Sequence, residues 1–161
     1  MPQLNRQLSR YAVLPARAVR LALSEPSSAL LAARMGAWVI ALSLLIRVMP
    51  LPRALRIVTP KRASIVEEVG AREAERVEAK LARLLDSLLA ADFWVFTPTC
   101  WKRAPILHRY LALRGIRTRI LFGVRREGDE VLSGHAWLEA NGEPLLEQTP
   151  PLYKVTYSFP S

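Results

Sequence analysis

The chain has 161 residues, 51% of them hydrophobic, with 23 Lys or Arg against 14 Asp or Glu and a single cysteine. That length suits one domain with its own core. A single cysteine excludes an internal disulfide, so the fold needs no oxidising compartment, and a cytoplasmic location is expected. One Cys and two His give no zinc cluster, and neither a Walker loop nor a dinucleotide fingerprint occurs, so no cofactor or metal is expected.

Charge is divided unevenly. Residues 1–62 hold ten Lys or Arg and one acid, Glu25, for a net +9, whereas residues 63–161 hold thirteen of each sign. The basic third is either a surface for an acidic partner or the solvated side of amphipathic helices. No RNP motif, zinc-finger spacing or basic–aromatic interleaving points to nucleic acid.

In chain order, residues 1–58 read as a basic helical extension punctuated by Pro15, Pro26, Pro50 and Pro52. Within it, Leu30, Leu31, Met35, Trp38, Val39, Leu42, Leu45 and Ile46 recur at helical spacing. The uncharged run, residues 35–46, amounts to about 18 Å of helix, short of a ~30 Å hydrocarbon core. A buried or interfacial helix is expected, and peripheral contact with a membrane goes with it. Residues 59–161 read as the main domain. Ser64-Ile-Val-Glu67 has the form of a capping box, and Val77, Leu81, Leu84, Leu85, Leu88 and Leu89 mark the inner stripe of a long helix.

The texture changes at Asp92. A short apolar run, Phe93-Trp-Val-Phe96, stops at Thr97-Pro98-Thr99, and a helix opens at Cys100 with Ile106, Leu107, Tyr110 and Leu111 facing inward and Gly115 ending it. Strands follow over residues 119–124 and 134–140, then an Asn141-Gly142 hairpin signal and a return over residues 144–148. The tail alternates, with Tyr153, Val155, Tyr157 and Phe159 on one side. Helices first and an antiparallel sheet second make an α+β fold.

Cys100 is the candidate nucleophile. A helix N-terminus stabilises a thiolate through free N–H groups and the macrodipole, and the same N–H groups can receive an oxyanion. The structural alternative is an inert buried thiol, but Thr99 and Lys102-Arg103 beside it are not core-like. Of the two histidines, His108 lies about 12 Å along the same helix, beyond direct reach of the thiol. That leaves His135 as base and His108 as structural or exposed. The third member depends on hairpin register. A two-residue Asn141-Gly142 turn sets Gln148 opposite His135, while a three-residue loop sets Glu147 there. Glu147 is the choice and Gln148 the alternative, the role being to orient the imidazole and support its charge.

With these residues in view, the chain resembles the stand-alone leader peptidases of lasso-peptide biosynthesis, which have a transglutaminase-like, papain-like core. The similar stretch, from about Phe93 to Phe159, includes Cys100-Trp-Lys-Arg103, Leu113-Arg-Gly-Ile116, Leu121-Phe-Gly-Val124 and His135-Ala-Trp-Leu-Glu-Ala-Asn-Gly-Glu143, and Met49-Pro-Leu-Pro-Arg53 resembles the family's N-terminal extension. The resemblance implies a Cys100–His135–Glu147 triad, with Glu147 where Asp is usual and Pro105 where a small polar residue is usual. It further implies release of a leader from a ribosomally made precursor peptide, together with a leader-recognition protein and an asparagine-synthetase-like cyclase. A transamidase, or a peptide-binding scaffold without catalysis, is the alternative reading.

Overall fold

The computed structural model describes residues 26–60, 70–90, 96, 99–127, 131–147 and 152–160. The capping box at residues 64–67, the run 93–95, the Thr97-Pro98 pair, residues 128–130 and Gln148 lie outside the described residues, as do residues 1–25.

The apolar spacing of the first described segment produces α1 (Pro26–Val48), opened by a proline whose missing N–H costs nothing at a helix start. At 23 residues it exceeds the run read from the sequence. Arg34 and Arg47 sit within a helix that is apolar and long enough, over Ser27–Val48, to cross a bilayer by length and composition. Its Met35, Val39 and Leu42 are nevertheless fully buried against the rest of the chain, and buried Ser43 satisfies its hydroxyl on the Val39 carbonyl at 2.8 Å. Pro50 and Pro52 bracket the start of α2 (Leu51–Val58), which buries Ala54, Leu55 and Val58.

Helix α3 (Ala71–Leu89) turns Leu81, Leu85 and Leu89 inward, and α4 (Cys100–Ala112) turns in Ile106, Leu107, Tyr110 and Leu111, as the spacing predicts. Each such fully buried side chain contributes about 1.5–3 kcal/mol. Gly115, at φ 78°, supplies the left-handed turn that releases the chain from α4. Arg109 of α4 fastens the helical layer. Its guanidinium stacks over Trp38 of α1 at 3.8 Å and donates to the carbonyl of Val58 at the end of α2.

The sheet comprises β1 (Arg119–Glu127), β2 (Val131–Ala140), β3 (Glu143–Leu145) and β4 (Lys154–Phe159), antiparallel in the order β3-β2-β1-β4. The fold is therefore α+β. Side chains alternate across the sheet. Ile120, Ala136 and Leu138 join one core with all four helices, and Phe122, Tyr157 and Phe159 pack onto it. Leu121 and Trp137 are buried too but stand outside that core, on the outer side of the sheet.

The tail departs from strict alternation. Phe122 pairs with Tyr157 but Gly123 with Val155, so Thr156 is an extra residue in β4, and its hydroxyl donates to the Phe122 carbonyl at 3.1 Å. The bulge splits the expected stripe: Tyr157 and Phe159 face the helices, while Tyr153 packs against Trp137 and His135.

Candidate active site

Cys100 is the first residue of α4, with Thr99 extended before it (φ −127°, ψ 137°) and no side chain capping the turn. The Lys102 and Arg103 N–H groups bond back to the Thr99 carbonyl at 3.1 Å. The Cys100 and Trp101 N–H groups precede the helical ladder and have no acceptor among the described residues. The thiol is half-buried at the margin of the main core, and the neighbouring Thr99 Oγ1 is buried without a hydrogen-bond partner.

The two cations beside the thiol, which are not core-like by residue type, take different places in the fold. Lys102 is buried, with its ammonium 5.0 Å from the Trp101 ring centroid, and Arg103 is committed to Asp86 of α3, Nε to Oδ1 at 2.7 Å. The Arg103–Asp86 pair joins two helices, a contact that helical spacing does not reveal. Pro105 sits fully buried in the same helix.

His135 lies on β2 opposite Gly123 of β1. Its ring stacks on Trp137 (centroids 5.8 Å apart, planes 13° apart) and meets Tyr153 at 5.2 Å. Gly123 is what permits this. A Cβ there would stand 2.8 Å from the Tyr153 Cβ and 3.0 Å from the Trp137 ring. Gly123, Trp137 and Tyr153 are parts of the site that residue type and spacing do not single out. Their only signal was a glycine in mid-strand, a mark of close approach.

Glu147 comes to His135 by a route the hairpin argument did not foresee. The turn has two residues: Ala140 pairs with Glu143, and Asn141 and Gly142 both take positive φ, 53° and 86°. That is the turn whose twist suits a hairpin. It corrects the three-residue loop through which Glu147 was expected to face the imidazole. Continued pairing would have brought Gln148 there. Instead β3 stops at Leu145 and Leu146 adopts φ 59°. Leu145 and Leu146 thus both pack on the main core, and the next side chain emerges on the outer side. Glu147 Oε2 lies 3.4 Å from His135 Nε2, with both side chains about three-quarters buried.

The structure therefore joins His135 to Glu147 and joins neither to the thiol by a hydrogen bond. Helix α4 packs on the inner side of the sheet, and His135 leaves the outer side of β2. Among the described residues β3 pairs only with Leu138–Ala140, so β2 has no strand beyond it at His135. His108 is no second base: it is buried, its Nδ1 lies 2.8 Å from Thr118 Oγ1, its ring meets Phe159 edge-on, and burial lowers its pKa to about 4. Among the described residues no group of His, Cys, Asp and Glu is placed to hold a metal ion.

Comparison with curated proteins and with solved structures finds no match. The family model described as the transglutaminase-like superfamily matches residues 30–158, which takes in most of α1, the cysteine helix and the sheet as far as Ser158. That superfamily includes both cysteine peptidases and transamidases. A cysteine opening a helix, packed on an antiparallel sheet that carries a histidine–carboxylate pair, agrees with the match, and the chain belongs to the transglutaminase-like superfamily.

Proposed function

We propose that the chain is a cysteine peptidase that removes the leader from a lasso-peptide precursor. The observation that carries the reading is the His135–Glu147 contact, in a chain of this superfamily whose one cysteine opens a helix. In the mechanism, the Cys100 sulfur attacks the scissile carbonyl and its proton passes to His135. The oxyanion is received by the free N–H groups of the first turn of α4. His135 then protonates the leaving amine, the core peptide departs, and a thioester to the leader acyl group is left. Water attacks that thioester, giving its proton to His135, and the leader leaves as a free acid while the sulfur takes the proton back. Glu147 holds the imidazole in the required tautomer and supports its charge. The proton transfer requires the thiol and the imidazole to come within hydrogen-bond reach, directly or through one water, in the substrate complex.

The leader specificity rests on the resemblance of the segments around Cys100, Arg114, Gly123 and His135 to leader peptidases. In this reading a separate leader-recognition protein presents the precursor and a cyclase of the asparagine-synthetase type consumes the freed amine. The test mixes the chain with precursor and recognition protein and follows the products by mass spectrometry. One cut, with a free leader acid, supports hydrolysis. Transfer of the leader to an added amine in place of water would establish the transamidase instead, and an uncut precursor would refute the reading.

A further inference from the structure

Helix α1 keeps two apolar sides. One packs on the core through Met35, Val39 and Leu42. On the other, Leu30, Ala33, Ala37, Ala41, Leu44 and Val48 recur at intervals of three and four, and at 3.6 residues per turn they fall within about 80° of one another. Leu30 is 62% exposed, Leu44 48% and Val48 78%, and only 28% of the helix's most apolar stretch is buried. The stripe runs for about 27 Å. It continues onto α2 through Ile57, 49% exposed, across a shallow groove of about 450 Å³ between the two helices.

Charge tells what covers it. Arg34 and Arg47 are exposed and flank the stripe on opposite sides by the same helical geometry, and Arg53 and Arg56 are exposed on α2. Residues 26–60 contain these four arginines and no acid. An apolar band bordered by cations matches a surface offering an apolar phase beneath anionic groups. The stripe's side chains are aliphatic and it lies on a helix, so it presents no strand edge and little polar lining to hold an extended peptide backbone.

We propose that the outward face of α1 and the exposed turn of α2 form a docking surface for an anionic lipid bilayer, on which the chain lies without crossing. The packed side favours lying on the surface: Met35, Val39 and Leu42 are buried against the core of the chain. Arg109 of the cysteine helix, stacked on Trp38, ties this surface to the helix that bears Cys100.

The test is co-flotation of the full chain with vesicles of phosphatidylcholine alone or containing about a quarter phosphatidylglycerol. The chain is expected to float with the anionic vesicles and at least about 10-fold less with the neutral ones. Leu44→Asp/Val48→Asp, at exposed positions, should abolish flotation while the circular dichroism spectrum stays unchanged. Arg47→Glu/Arg53→Glu should weaken it. Binding that survives Leu44→Asp/Val48→Asp would overturn the proposal by placing lipid contact elsewhere. Absence of flotation also overturns it. A dimer in sedimentation that dissociates in Leu44→Asp/Val48→Asp would then identify a second copy as the occupant, and capture of a synthetic acidic peptide would identify a peptide.

Discussion

His135 Nε2 and Glu147 Oε2 lie 3.4 Å apart, although the register of the hairpin that carries them does not pair them. The left-handed Leu146 moves the return strand by one side chain and delivers the carboxylate to the imidazole. The His135–Glu147 contact therefore depends on the backbone conformation of the residue just after β3 as much as on the identity of residue 147.

The first prediction concerns that pair. Glu147→Gln keeps the shape and removes the charge, and kcat for precursor cleavage is expected to fall by at least about 10-fold with little change in melting temperature. Glu147→Asp, which keeps the carboxylate, should retain more activity than Glu147→Gln. Equal activity in all three chains would remove Glu147 from the mechanism.

Gly123 is the second. Its missing Cβ admits Trp137 and Tyr153, and Tyr153 approaches with its own Cβ, an atom that no side-chain rotation can withdraw. Gly123→Ala should displace the aromatic pair that flanks His135, costing about 1–3 kcal/mol in denaturant unfolding and lowering kcat by about 10-fold. Full activity in Gly123→Ala would show that the stacking does not position the imidazole.

Acid stability is the third. His108 is neutral in the fold because burial lowers its pKa from 6.5 to about 4. Between those values the unfolded chain binds more protons than the folded one, so stability rises with pH across that window and is lost as pH falls from 6.5 towards 4. The full loss is about 3 kcal/mol. His108→Gln, which retains a hydrogen-bonding group for Thr118, should flatten the pH dependence of unfolding between pH 4 and 6.5. An unchanged slope would assign the acid limb to other groups.

The fourth tests the clamp between helices. Arg109→Lys keeps the charge but loses the planar stack on Trp38 and the fork that reaches the Val58 carbonyl. A loss of about 1–2 kcal/mol is expected in thermal or denaturant unfolding. No change would mean that the stack contributes nothing net.

Much of this was readable from the residues. The inward faces of α3 and α4, the stop at Gly115 and the Asn141-Gly142 turn are local signals, set by spacing and by which residues accept positive φ. What spacing does not encode is where a strand adds or slips a residue. Thr156 bulges and Leu146 turns left-handed, and no period in the sequence announces either. The burial of Lys102 is of the same kind. For Glu147 the residue expected beside the imidazole is the one found there, although the loop argued for it is not the one formed.

The proposed chemistry turns on the Cys100 sulfur. Acid-quenching the full chain during turnover of its precursor and mapping the protein by mass spectrometry measures this directly. A thioester is predicted at Cys100 carrying the leader acyl group, absent in Cys100→Ala, which should fold normally and leave the precursor uncut. Continued cleavage by a folded Cys100→Ala chain would contradict the account.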